Sequence, residues 1–306
     1  MKTRLLMLTG IFFMSLVTSA IAQDEKEKNS IGEAVFEEYQ ENGIDAALAH
    51  YKKLKKEEKE NYNWDEWELN NIGYKLMLEE KDMEAAEKVF KYNMKEYPEA
   101  ANPNDSYADY LIEKGKTEEA KKYLKKSIEI AQNSSNKDEK TRILAGSKAK
   151  LSKLENKHRQ LDFLTGEWVM EQTNYRDGNA IDVPSSTQSI TYLPGDAVLR
   201  IKHTNAQNNP CCERIIAYDA MDDQFEMAYV NATTPTGIEI SKLDIKNIGE
   251  NKVEMMEEYT QNNEKRMARH EISRNGDDNI EWDVYLQNED SKEWEKVNQM
   301  RFKRKT

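Results

Sequence analysis

Histidine and cysteine are scarce in this chain of 306 residues, which has four histidines and two cysteines. The cysteines are adjacent, Cys211 and Cys212, and the pattern places them in a loop after Pro210. Such a pair forms either two free thiols or a local vicinal disulfide, and a strained disulfide is easily reduced. Redox-active pairs usually have two residues between the cysteines, so the sequence favours no redox role. No histidine and cysteine spacing matches a zinc site, and we predict no metal.

His270 is the histidine with the most specific chemical hypothesis, because it lies in a predicted strand over residues 265–273. A histidine that points from a strand into a barrel can serve as an axial ligand of haem iron. A hydrogen-bonded structural histidine is far commoner in proteins than a haem ligand. We therefore predict that the protein has no cofactor.

Candidate catalytic groups are few. Ser147 and Lys150 have the Ser-x-x-Lys spacing of the penicillin-recognising serine hydrolases, but they lie in a polar predicted helix and the supporting motifs are missing. The chain has 57 Asp and Glu residues, so a pair of neighbouring carboxylates carries little information. We predict no catalytic residue.

The N-terminus has the pattern of a secretory signal. Lys2 and Arg4 precede an apolar run, and Ala20 and Ala22 form a cleavage site. We expect a signal peptide over residues 1–22, a charged linker over 23–30, and export to the periplasm or the extracellular space. Loss of Lys2 and Arg4 would change the formal net charge from −12 to −14. Such a surface repels nucleic acid, and no later stretch is apolar enough to span a membrane.

Residues 31–157 show apolar residues at helical spacing and an internal repeat of 34 residues. The positions expected to pack the repeats are Tyr74, Ala86, Phe90 and Pro98 in one copy and Ala108, Ala120 and Leu124 in the next. These two segments, 73–98 and 106–130, resemble tetratricopeptide repeats, and their sequences are similar to the repeat tails of secreted bacterial serine hydrolases. The resemblance implies a stack of helix pairs that docks an unknown protein or peptide in a groove. The alternative is a spacer that supports the other half of the chain.

Residues 158–306 show strand-like alternation that begins at the segment 161–168. About ten short strands separated by turn residues predict an up-and-down antiparallel barrel, among them strands at 187–193 and 213–219. The fold class is therefore α+β, with two domains: a helical repeat domain followed by the barrel. Because only a few residues join them, we expect the two to be in contact.

The barrel half resembles the lipocalin-like barrels of uncharacterised bacterial proteins. The matching pieces are His158 with Leu161, Leu164, Gly166 and Trp168; Leu193-Pro194-Gly195; Ala217-Tyr218-Asp219 with Phe225 and Tyr229; and the closing strand from Trp294 to Arg304. This resemblance implies an interior cavity that holds a small apolar or amphipathic molecule.

Ten large or ionisable strand residues are candidates for the barrel interior, although packing in an ordinary barrel core is the commoner role for such residues. They are Trp168, Met170, Tyr192, Tyr218, Tyr229, Met255, Tyr259, Trp282, Tyr285 and His270. We predict an exported, non-catalytic binding protein whose barrel holds a ligand and whose repeats dock a partner. The alternatives are an interaction scaffold with the barrel as a structural companion, or a hydrolase of lipid or cell-wall material.

Overall fold

The computed structural model describes residues 28–231, 237–249, 251–261, 264–288 and 290–306. The predicted signal peptide and most of the predicted linker lie outside these residues. The described part of the chain forms a helical region followed by a closed barrel of ten antiparallel strands, which confirms the predicted order of helices and barrel. It divides into two compact units, with the boundary after Glu68. Among the described residues, no helix combines the length and the apolar character that crossing a membrane requires.

The first unit contains a pair of helices and a short parallel strand pair. Its elements are β1 (Asn29–Ser30), α1 (Ile31–Asn42), α2 (Ile44–Glu57) and β2 (Tyr62–Asn63). The Ser30 hydroxyl accepts a hydrogen bond from the Glu33 backbone N–H at 3.1 Å and so caps α1. Gly43, at φ +81°, ends α1 in a conformation that favours glycine. Tyr51 is fully buried, with its ring centroid 5.1 Å from that of Trp64.

Five further helices complete the helical region. They are α3 (Glu66–Leu78), α4 (Met83–Glu96), α5 (Asn102–Glu113), α6 (Thr117–Asn133) and α7 (Leu144–Leu154). Most of the positions predicted to pack the repeats have no exposed surface, namely Ala86, Phe90, Ala108, Ala120 and Leu124. Tyr74 is half-buried and donates to the Asp109 carboxylate at 2.6 Å, while Pro98 is exposed in the turn after α4. A Cβ atom at Gly73 would lie 2.4 Å from the Phe90 ring, so this close approach requires glycine.

The Ser-x-x-Lys sequence has a structural role in this fold. The Ser147 hydroxyl is fully buried and donates to Asp105 at 2.5 Å. The Lys150 ammonium forms ion pairs with Asp105 at 2.8 Å and with Asp109 at 2.7 Å. These bonds hold α7 against α5 and leave Ser147 inaccessible to any substrate.

The barrel strands follow one another around the wall in chain order, and antiparallel pairing of the tenth strand of the barrel with the first completes the closure. They are β3 (Gly166–Arg176), β4 (Asn179–Tyr192), β5 (Val198–Thr204), β6 (Pro210–Asp219), β7 (Gln224–Asn231), β8 (Ile238–Gly249), β9 (Lys252–Gln261), β10 (Glu264–Arg274), β11 (Asn279–Gln287) and β12 (Trp294–Arg304). Two strands start earlier than the alternation predicts. The first residues of β4 are mostly exposed, so they carry no apolar signal. The cysteine pair lies in β6 and not in a loop.

One end of the barrel is filled by an apolar core. Along β3, Trp168 and Met170 point inward and are 1% and 2% exposed. Leu161 and Leu164, from the segment that precedes β3, are buried in the same core. The Trp168 indole N–H donates to the Leu164 carbonyl at 2.8 Å, so this segment is part of the barrel floor.

The helical region contacts the barrel at the turn before β7. The Lys148 ammonium donates to the Met221 carbonyl at 2.7 Å, and Lys157 forms an ion pair with Asp223. These contacts agree with the expectation from the short linker.

Candidate functional site

The barrel encloses a cavity of about 430 Å³. Along β7, Phe225 lies in the apolar core and Tyr229 lines the cavity, so the cavity occupies the end of the barrel away from α7. Much of its wall is apolar, with Ile201, Ile216, Met227, Val284, Met300 and Phe302 among the lining residues. The remainder of the wall carries a small number of polar and charged side chains.

Five of the ten predicted interior residues line this cavity. They are Tyr229, Met255, Tyr259, Trp282 and His270. They come from β7, β9, β10 and β11, and inward alternation along each strand brings them together. Their role in holding a ligand stays a prediction.

Four of the remaining candidates lie toward the filled end of the barrel. Trp168 and Met170 belong to the apolar core. The Tyr192 hydroxyl donates to the Asp162 carboxylate at 2.5 Å, and the Tyr218 hydroxyl donates to Asp223. Burial raises the pKa of both phenols, and the acceptor carboxylates raise it further. Tyr192 therefore binds the segment that forms the barrel floor, and Tyr218 binds the turn before β7.

Tyr285 lies on the outer surface of the barrel, which corrects its predicted interior position. The Arg269 guanidinium lies 4.5 Å from the centroid of its ring and also contacts the Trp294 ring. On β11 the residues that line the cavity are Trp282, Val284 and Leu286, so Tyr285 has the opposite parity.

Glu257, His270 and Trp282 form a hydrogen-bonded chain in the cavity wall. The Trp282 indole N–H donates to Nδ1 of His270 at 3.0 Å, which makes Nδ1 an acceptor. The proton of the neutral imidazole therefore sits on Nε2, which donates to the Glu257 carboxylate at 2.9 Å. Both ring nitrogens of His270 are therefore engaged in hydrogen bonds, and this arrangement gives no support to the hypothesis that His270 is an axial ligand of haem iron.

The Glu257 carboxylate is stabilised in its charged form. Burial acts to raise its pKa. The hydrogen bond from His270, the positive charge of that histidine when it is protonated, the hydrogen bond from Ser241 and the positive charge of Arg214 together outweigh burial and hold the pKa below its usual range. This side chain therefore keeps a negative charge inside the barrel near neutral pH.

Arg214 supplies the positive charge of the cavity. Its guanidinium lies 4.8 Å from the centroid of the Tyr229 ring. Within the described part of the chain, no carboxylate lies close enough to form an ion pair with it. The cavity therefore presents this guanidinium beside an apolar and aromatic wall, and its lining also includes the Glu239 and Glu257 carboxylates.

A second cluster, of His203, Cys211 and Cys212, lies beside the cavity. The Sγ atoms of the free cysteines are 3.6 Å apart, and Cys212 Sγ is 3.4 Å from His203 Nδ1. Burial raises the pKa of the Cys211 thiol to about 11, helped by Cys212. Burial, together with Arg214, lowers the pKa of His203.

Sequence reasoning missed this cluster, because seven residues separate His203 from Cys211 and the spacing matches no metal motif. The hairpin of β5 and β6 brings them together, since His203 pairs with Cys212 across the strands. The strand that the sequence predicts over residues 213–219 begins after both cysteines, whereas β6 begins at Pro210, so pairing of the predicted strands does not reveal the cluster.

No protein-family model matches the chain, and no curated protein is significantly similar to it. Among solved structures, it is similar to Rv2717c from M. tuberculosis, with 11% identity over 49% of this chain and 98% of that one, at a TM-score of 0.34. It is also similar to EF1p2_mFAP2b bound to DFHBI, at 13% identity, 48% and 98% coverage and a TM-score of 0.25. The redesigned beta barrel mFAP1 bound to DFHBI gives 14% identity, 48% and 99% coverage and a TM-score of 0.24. Similarities at this level indicate neither a ligand nor an activity for this chain.

Proposed function

We propose that the barrel binds a small amphipathic molecule with an apolar or aromatic body and an anionic group. The observation that carries the proposal is the cavity of about 430 Å³, since ligand pockets usually measure about 300–1,000 Å³. A barrel built only for stability would fill this space with side chains, as it does at its other end.

Arg214 is the group of the cavity wall that can pair with an anionic group on the ligand, and the same wall contains the Glu239 and Glu257 carboxylates. Glu257 already accepts hydrogen bonds from His270 and Ser241, so its charge is balanced within the wall. Arg214 adds to the positive charge that holds Glu257 ionised, forms no direct ion pair with a described carboxylate, and stacks on Tyr229. A carboxylate or sulfonate on the ligand would complete an ion pair with Arg214, while its body contacts Trp282 and the aliphatic wall.

We also propose that the helical region is a stack of tetratricopeptide-like repeats and that the barrel is lipocalin-like. The buried Ala86 and Ala120, 34 residues apart, and the buried Phe90 and Leu124 support tetratricopeptide-like repeats. The open interior supports a lipocalin-like barrel. Export, and docking of a protein or peptide by the helical region, stay predictions.

Two fluorescent probes test the proposal on the full chain. ANS (8-anilinonaphthalene-1-sulfonate) and N-phenyl-1-naphthylamine share one aromatic skeleton, and only the first carries an anion. We expect one equivalent of each to bind. Ala268→Phe places a large ring in the cavity. It should lower the affinity for both probes by at least about tenfold, which is roughly 1.4 kcal/mol.

Matched variants separate the cavity from the outer surface. Met267 neighbours Ala268 on β10 with the opposite parity, so Met267→Phe should leave both affinities unchanged. Arg214→Gln should lower the affinity for ANS and leave the affinity for the uncharged probe unchanged. Met300→Trp is a second cavity-filling variant if Ala268→Phe unfolds, which circular dichroism would show. Equal binding by the wild type and a folded cavity-filling variant would refute the proposal.

A further inference from the structure

A β-bulge gives the cysteine pair an unusual geometry. The pairing register of β5 and β6 shifts between His203 and Thr204, whose partners are Cys212 and Pro210. Cys211 is thus the extra residue of the bulge and has no partner on β5. In a regular strand adjacent side chains point to opposite faces, but a bulge re-aims one of them. Both thiols consequently lie next to His203.

The three donor atoms have the spacing of a metal site. Cys212 Sγ lies 3.6 Å from Cys211 Sγ and 3.4 Å from His203 Nδ1, and all three donors lie within 4.8 Å of one another. With metal–sulfur bonds of about 2.3 Å and metal–nitrogen bonds of about 2.0 Å, donors around one ion are separated by roughly 3.5–4 Å. The cluster can therefore close on an ion with little rearrangement.

The neighbours of His203 favour coordination through Nδ1. Its Nε2 atom lies 2.9 Å from the Ser186 hydroxyl, which is itself buried. A hydrogen bond from Nε2–H to this hydroxyl leaves the Nδ1 lone pair facing Cys212. Metal-binding histidines usually have their second nitrogen held in this way.

We propose that His203, Cys211 and Cys212 bind a thiophilic d¹⁰ cation, either Zn²⁺ or Cu⁺. Two thiolates and one imidazole are the soft donor set that these ions prefer, and Cu⁺ needs no fourth ligand. On binding, each thiol releases its proton to solvent and the neutral imidazole donates its lone pair. The Zn²⁺ complex is neutral, and the Cu⁺ complex has one negative charge beside the Arg214 guanidinium. None of the three proposed metal ligands lines the cavity, so this proposal does not rest on the proposed function.

Metal titration of the full chain tests this site. The protein is reduced with a phosphine and freed of metal, then titrated with Zn²⁺ against a chromogenic chelator and, without oxygen, with Cu⁺ against a Cu⁺-specific chelator. At least one of the two ions should bind with one equivalent. Co²⁺ should give thiolate-to-cobalt charge-transfer absorption in the near ultraviolet.

Variants identify the ligands. Cys211→Ser, Cys212→Ser and His203→Gln should each weaken binding at least about 100-fold, and Ser186→Ala about 10–100-fold. His50→Gln, in the first unit, is the control and should bind as the wild type does. Binding that survives in the Cys211→Ser/Cys212→Ser double variant would come from carboxylates and would overturn the proposal. So would the absence of one-equivalent binding by both ions, or a cobalt complex without charge-transfer absorption.

Discussion

Glu257 is a carboxylate inside the barrel whose charge is balanced by His270, Ser241 and Arg214. Its side chain is 15% exposed and that of His270 is 10% exposed, so water screens their interaction weakly. Glu258, the next residue on β9, forms an ion pair with Lys265 in which the side chains are 42% and 76% exposed. These two neighbours form a matched pair for a substitution test.

Glu257→Gln should lower the free energy of unfolding by about 1–3 kcal/mol near neutral pH, because the charged hydrogen bonds become neutral ones. Glu258→Gln should change it by no more than about 0.5 kcal/mol, since exposed ion pairs contribute little. Urea unfolding followed by circular dichroism measures both. Equal effects of the two substitutions would contradict the conclusion that the charge of Glu257 is stabilised by its neighbours inside the barrel.

The effect of Glu257→Gln should also depend on pH. The pKa of Glu257 is lower in the folded than in the unfolded protein, so its contribution is complete above the unfolded value of about 4.3 and is lost as pH falls through the folded value. The difference between wild type and variant should therefore shrink in acid. A difference that grows as pH falls would show that the shift has the opposite sign.

Local sequence predicts some of these residues and misses others for one physical reason. Tyr229, Trp282 and His270 could be nominated because period-two alternation places large side chains inside a barrel. Alternation does not show where along the barrel axis the core ends and the cavity begins, so the same pattern also predicts Trp168 as a cavity residue. The Cys211 bulge breaks the period itself, and its meeting with His203 depends on pairing between strands.

At the scale of elements, Gly166 is the first residue of β3 and fixes the backbone geometry at the start of the first barrel strand. Its φ is +144°, a backbone conformation that side chains other than glycine rarely adopt. A Cβ atom there would lie 2.3 Å from Nη1 of Arg304, whose guanidinium stacks on the Trp168 ring at 4.3 Å. Gly146, by contrast, lies in α7 and an added Cβ would meet nothing within 4 Å.

Gly166→Ala and Gly146→Ala should therefore change the free energy of unfolding in opposite directions. The first should destabilise the protein by about 1–3 kcal/mol through backbone strain. The second should stabilise it by up to about 0.5–1 kcal/mol, because alanine loses less conformational entropy in a helix. Chemical denaturation of the two variants beside the wild type measures both changes. Destabilisation by Gly146→Ala of the same size would show that strain at Gly166 is not the cause.

At the scale of the whole molecule, the barrel has a filled end and an open end, and the filled end depends on residues outside the strands. Helical and strand periods predict the two regions, but the segment between them has neither period. Leu161 and Leu164 are each 2% exposed in the barrel core although they precede β3. The segment that contains Leu161 and Leu164 is therefore part of the barrel floor and also connects the helical region to the barrel.

Three chains of different length test this arrangement: the full chain, a fragment of residues 158–306 and a fragment of residues 166–306. Burial of each leucine contributes about 1.5–3 kcal/mol, a large share of the about 5–15 kcal/mol that stabilises a typical domain. The fragment 166–306 should therefore unfold at a much lower temperature than 158–306, or fail to fold. The fragment 158–306 should lose little relative to the barrel of the full chain, because the polar contacts of Lys148 and Lys157 with the turn are exposed. Thermal unfolding followed by circular dichroism compares the three, and equal midpoints for the two fragments would show that the floor does not need Leu161 and Leu164.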